Sequence, residues 1–330
     1  MNRKWKIYFI IVLSMILHAG VDQKVCATSY IVIDLNPSVS SVSVAYGIDG
    51  GQQVGYGNSP VMGNYYHALL WSGSASSVVD INPSGFNSCA IRGINGGQQV
   101  GGGTPVDGSY EHALLWGGSA ASAVDLNPSG FQFSDALCTN GSQQVGYGID
   151  SIMQHALLWS GSAASVVDLT PSGFDSALAN GINGGQQVGY GHGPAMNGFT
   201  HALLWSGSAA SVVDLNPIGF SESHGIGING AQQVGYGHIS LTDQNYHALL
   251  WSGSATSAVD LQQFLPSGFV KSHAQSIDAQ GNIVGYAINS SGVHHAILWQ
   301  PVPVPEPATV VMLGMGALSL LFFWRRKRGG

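Results

Sequence analysis

Charge is scarce in this chain. Asp, Glu, Lys and Arg make up 8% of its 330 residues, against 45% hydrophobic residues, so few side chains are available for a solvated ionic surface. Basic residues are scarcer still away from the ends. Eight of the ten are Arg3, Lys4, Lys6, Lys24, Arg325, Arg326, Lys327 and Arg328, which leaves only Arg92 and Lys271 between them. The net charge is −7, and an acidic body repels phosphate backbones, so nucleic acid is not an expected partner. Cysteine is nearly missing: Cys26, Cys89 and Cys138 are the whole set. Cys89 and Cys138 occupy different places in successive repeats and read as small buried apolar residues rather than a disulfide. Glycine is plentiful, at 47 residues, but has no three-residue period, which excludes collagen.

The chain does have repetition. His-Ala-Leu-Leu-Trp begins at His67, His112, His155, His201 and His247, and His295 opens a sixth copy with Ile in third place. The spacings are 45, 43, 46, 46 and 48 residues, a period typical of propeller and solenoid arrays. Four strand signals recur in each unit. The first is a short strand ending in Asn-Gly, and the second is Gln-Gln-Val-Gly-Tyr-Gly. The third is the histidine motif, and the fourth is Val-Val-Asp-Leu-Asn-Pro. Asn-Gly fits a type I′ hairpin, and Ser-Gly-Ser-Ala supplies a second tight turn. Four antiparallel strands in about 46 residues make one propeller blade. The sixth unit lacks its fourth strand, while residues 30–37 supply one with no unit of its own. The expected fold is therefore all-β: a six-bladed propeller over residues 28–300, closed by that N-terminal strand.

Both ends read as addresses. A basic start and an apolar run over residues 7–17 lead to Val25-Cys26-Ala27, so residues 1–27 read as a signal peptide. Residues 301–307 form a stiff Pro-rich linker, and residues 308–330 are an expected transmembrane helix closed by a basic cluster that positive-inside bias holds in the cytoplasm. Pro305-Glu306-Pro307, an apolar stretch and an arginine-rich stop together resemble a PEP-CTERM sorting tail. That resemblance implies export across the inner membrane, a cell-surface or extracellular location, and an exosortase-type sorting protease and the secretion machinery as partners. It also implies an association with exopolysaccharide. The repeats themselves resemble the HAF family of extracellular repeats, with Leu or Ile in place of Phe in every copy, as in a divergent branch.

The polar residues that recur in each unit have structural readings. Six equivalent histidines on a ring do not converge as zinc ligands must, so each is expected to be held by hydrogen bonds at its strand start. The repeated aspartates, Asp34, Asp80, Asp125, Asp168, Asp214 and Asp260, each precede a turn and suit bonds to their own backbone better than glycoside hydrolysis. The repeat tryptophans read as packing between blades. No uneven cluster of acids is visible in one or two units, and neither catalytic residues, a metal nor a cofactor is expected. The loop between second and third strands does differ from unit to unit. It carries Tyr65, Tyr66, Tyr110, Phe199, Asp243 and Tyr246, the candidate ligand-binding residues, since aromatic and acidic groups suit sugars. The expected function is a non-enzymatic surface or matrix protein that binds surface polysaccharide or protein. The alternatives are a purely structural spacer and a secreted carbohydrate-active hydrolase.

Overall fold

The structure is a computed structural model describing residues 33–38, 40–58, 65–240 and 245–301. It is all-β in a propeller-type arrangement. Every helical element among the described residues is a 3-10 turn of three or four residues. First strands run Val42–Asp49, Phe86–Asn95, Phe133–Thr139, Ser176–Asn183, Glu222–Asn229 and Phe269–Ile277. Second strands are Gln52–Asn58, Gln98–Pro105, Gln144–Ile149, Gln186–Gly193, Gln232–His238 and Ile283–Asn289. The histidine motif lies in third strands Tyr66–Trp71, His112–Trp116, Gln154–Trp159, Phe199–Trp205, Tyr246–Trp251 and His294–Trp299. Fourth strands have two residues each: Val79–Asp80, Val124–Asp125, Val167–Asp168, Val213–Asp214 and Val259–Asp260. First strands of consecutive repeats pack on one another, while the fourth pack on their own third strand, so the first lie innermost and the fourth at the rim.

Local chemistry explains this regularity. The first hairpin turns on glycine: Gly50 and Gly51, and Gly96 and Gly97, all have positive φ, as a type I′ turn requires. The asparagine of the motif is thus the last paired residue, as in Asn95 opposite Gln98, and not the turn centre that its position suggests in the sequence. In the fifth repeat only the first centre, Gly230, is positive, and Ala231 is accepted beside it. Each first strand also carries a bulge, in the fourth repeat between Ala179 and Gly181. That bulge drives the Leu178 carbonyl over Gly189, where a Cβ would collide with it. The first glycine of Val-Gly-Tyr-Gly is therefore a steric necessity.

Packing between repeats supplies the core. Trp116 is buried among Val54, Ala68 and Leu70 of the preceding repeat. Trp159 packs on Val100, Ala113 and Leu115, and Trp205 on Val145, Ala156 and Leu158. A buried serine joins neighbours as well: the Ala113 amide donates to Ser134 Oγ at 2.9 Å, and Ala202 to Ser223 at 3.0 Å.

The closed six-bladed propeller ending in a transmembrane helix is not what forms. The strands make five sheets, not six equivalent blades. Three sheets have four strands, the third and fourth repeats share one of eight through a parallel contact, and the last has three. Residues 33–37 lie in no strand, so nothing described there completes the last sheet. Among the described residues the end faces are also exposed. Ile48 is 71% exposed in the first repeat, whereas Ile182 at the same place is 5% exposed. Val284 and Leu298 of the last repeat are 48% and 54% exposed, whereas Val234 and Leu204 are buried. The sequence counted complementary strands, but a strand inventory does not oblige the two ends to meet. No helix among the described residues is long and apolar enough to cross a membrane. The segments read as a signal peptide, linker and transmembrane helix lie outside the described residues.

Candidate functional site

The repeats position one residue column on each strand, and the departures from those columns meet in space. The tyrosine of Val-Gly-Tyr-Gly is present as Tyr56, Tyr147, Tyr190, Tyr236 and Tyr286, but the second repeat has Gly102. The residue before the motif histidine is Tyr66 in the first repeat and Glu111 in the second. Across the first hairpin, Asp135 stands opposite Tyr147, where other repeats carry Val44, Ala90, Leu178, His224 or His273. Loss of one ring at Gly102 leaves space, and Glu111 Oε1 occupies it. A Cβ on Gly102 would collide with Glu111 and stand 2.9 Å from Asp135 Oδ1.

Arg92, on the first strand of the second repeat, holds the other side. Its Nε donates to Asp135 Oδ2 at 3.2 Å, and its guanidinium lies 5.8 Å over the Tyr46 ring. Asp135 is 3% exposed and its Oδ1 has no hydrogen-bond partner. Burial pushes the Asp135 carboxyl up to about 7; the Arg92 charge pulls against that and Glu111 adds to it. Glu111 is likewise raised by burial, with Arg92 opposing. Tyr56 meets Tyr46 at 5.8 Å and Tyr66 edge-on at 4.9 Å. These rings, with Arg92, Glu111, Ser88 and Thr104, line an open cavity of about 240 Å³ between the first two repeats. That volume suits one small group, such as a sugar ring or part of one.

A second array runs through the last three repeats. Tyr190, His224, Tyr236, His273 and Tyr286 follow one another at 4.6, 4.6, 4.4 and 5.1 Å between ring centres. Burial lowers both histidines to about 4; the charges of His238 and His273 add to this at His224. They are neutral at neutral pH, and the stack is aromatic packing.

The motif histidines are structural clamps. His67 Nδ1 and Asp80 Oδ2 are 2.7 Å apart, and the pair recurs at His112–Asp125, His155–Asp168, His201–Asp214 and His247–Asp260. The other carboxylate oxygen accepts the backbone amide two residues on, as Asp80 does from Asn82. Each aspartate thus ties its third strand to the following turn. Among the described residues no group of three or more His, Cys, Asp or Glu could hold a metal ion.

Of the loop residues read as candidates, only Tyr66 lines the cavity. Tyr65 and Tyr110 are 52% and 67% exposed, and Phe199 is half-buried at a strand start. Tyr246 packs among Tyr236, His238, His273 and Tyr286, with the Lys271 ammonium 5.6 Å over its ring. Asp243 and Pro305, Glu306 and Pro307 lie outside the described residues. The residues that reading loop variability missed are Tyr46, Tyr56, Arg92, Gly102, Glu111 and Asp135. An uneven pair of acids does exist, although none was visible along the chain. Comparing columns between repeats would have exposed it, since Gly102 breaks the tyrosine column and Arg92 is one of two basic residues in the body.

Residues 303–327 match the PEP-CTERM protein-sorting motif. The motif points to export, a cell-surface location and recognition by exosortase-type sorting machinery. It covers the tail alone. No curated protein matches the chain. Among solved structures, the chain is similar to puromycin hydrolase, with 11% identity, a TM-score of 0.53, 79% of this chain covered and 44% of that one. It is also similar to the β-propeller domain of the Trilobed protease from Pyrococcus furiosus, described as having an open velcro topology. There the identity is 9%, the TM-score 0.50, and the coverage 79% and 84%. Likeness at these identities concerns the fold alone. The chain spans less than half the length of puromycin hydrolase.

Proposed function

We propose that this is a non-enzymatic cell-surface or matrix protein whose propeller-type body binds extracellular polysaccharide through the cavity between its first two repeats. The observation that carries the reading is the convergence of Tyr46, Tyr56, Tyr66, Arg92 and Glu111 where the repeat pattern is broken. Folding does not require that break, since the other repeats fold with a tyrosine at the Gly102 position. Aromatic walls with a few polar groups are what sugar rings stack on and hydrogen-bond to. The sorting tail is in keeping with a ligand in the same compartment. We further propose, on the His-Ala-Leu-Leu-Trp motifs, that the repeats are a divergent branch of HAF-type repeats.

A hydrolase is the second reading, favoured by the acid pair. Glycoside cleavage sets its two carboxyls on either side of the scissile bond. Here both converge on one point beside Gly102, and Arg92 occupies one oxygen of Asp135, which supports recognition over cleavage. The test is binding of the purified full chain to isolated surface polysaccharide. Tyr46→Ser with Tyr66→Ser should abolish retention, while Tyr65→Ser with Tyr110→Ser should leave it intact. Retention lost equally in both pairs would move the site to the exposed loops. Absence of binding by the unaltered protein would favour the structural spacer, and release of reducing sugar would favour the hydrolase.

A further inference from the structure

We propose that the cavity selects a ligand carrying a protonated amine, such as a de-N-acetylated amino sugar within the polysaccharide. This rests on the binding reading above and names the chemistry the site would recognise.

Acidic groups outnumber basic ones beside Gly102. Two carboxyl groups, Glu111 and Asp135, meet beside Gly102, and one guanidinium opposes them. Arg92 engages Asp135 Oδ2 and is turned over Tyr46, which leaves Asp135 Oδ1 buried with no partner. A buried, unpartnered carboxyl oxygen is costly unless something arrives to satisfy it, and a cation beside it would favour its ionised form. Among the described residues no lysine is at hand, since Lys271 sits over Tyr246 in the last two repeats. Glu111 lines the cavity and Asp135 Oδ1 lies behind its Gly102 wall, while the remaining wall adds aromatic rings, with Tyr56 and Tyr66 held edge to face. Carboxylates behind and aromatic faces around are the two attractions that an ammonium group draws on together. A carboxylated sugar would instead meet two acids. A neutral acetamide would bring a donor but no charge.

The decisive experiment is calorimetric titration of the full-length protein with three trisaccharides: of glucosamine, of N-acetylglucosamine and of a uronic acid. The glucosamine trimer is expected to bind at least about tenfold more tightly than either of the others. Glu111→Gln should remove that preference with the melting temperature little changed, because the side chain keeps its shape. Equal or tighter binding of the acetylated or uronic trimer overturns the amine assignment while leaving polysaccharide recognition standing. So does an undiminished preference in Glu111→Gln. If no trimer binds but the isolated polysaccharide does, the amine assignment again fails alone. If the polysaccharide does not bind either, the binding reading fails with it.

Discussion

A single tryptophan shows how each residue column acts. Trp205 is fully buried against Val145, Ala156 and Leu158 of the preceding repeat, so Trp205→Ala opens a cavity between two sheets. It should cost about 3–5 kcal/mol, read as a shift in the chemical denaturation midpoint. That role was legible in the sequence, because an even recurrence of one large ring calls for an even site. Asp135 was not legible, since its burial depends on Glu111 and Arg92 from the neighbouring repeat. Its folded pKa of about 7 lies above the value near 4 of an unfolded aspartate. Folding therefore takes up a proton between those limits, and stability falls as pH rises from about 4 to about 7. His224 and His273 act in the opposite sense: lowered to about 4, they favour folding above about 6.5 and lose that contribution as pH falls. From these three groups stability should rise from about pH 5 to about pH 7 and then level off, the two histidines outweighing Asp135. Asp135→Asn should roughly double the slope of that rise between about pH 5 and 6.5. Denaturation midpoints across pH 5–8 showing no such change would refute the assignment.

Strands and turns were mostly readable, because each has a local cause. Val-Gly-Tyr-Gly forms second strands and His-Ala-Leu-Leu-Trp third strands, with fourth strands at Val-Asp. What misled was length. The first strands, read as short, run seven to ten residues, because each pairs with its second strand along its length despite the bulge. Bulges were invisible too, although the glycine beneath each is their trace. Two alanine substitutions separate the reasons for glycine. Gly189→Ala meets the Leu178 carbonyl and should destabilise by about 1–3 kcal/mol. Gly185→Ala, in the adjoining turn with open space around it and no positive φ, should stay within about 0.5 kcal/mol. Equal effects would mean that the bulge yields.

At the scale of the molecule, the period gave the architecture and the ends did not follow from it. Repeat similarity dictates how a unit meets its neighbour, since Trp, Val and Ala columns recur at each junction. It is silent on whether first and last units meet, because that depends on the rotation accumulated per repeat. The open ends are testable through equivalent positions. Ile48→Asp, on the exposed end face, should change stability by no more than about 0.5 kcal/mol, while Ile182→Asp should cost about 3 kcal/mol or more. Comparable losses at both would mean that Ile48 is covered and the ends closed. The functional site follows the same logic, being assembled where the tyrosine column is broken at Gly102, between the first two repeats and beside Asp135 of the third. Its direct test is hydrogen–deuterium exchange of the full chain with and without isolated surface polysaccharide. The account predicts added protection in the strands Phe86–Asn95 and Gln98–Pro105 and at Glu111, with Glu222–Asn229 and Ile283–Asn289 unchanged. Protection confined to the last three repeats, or none at a saturating polysaccharide concentration, would contradict it.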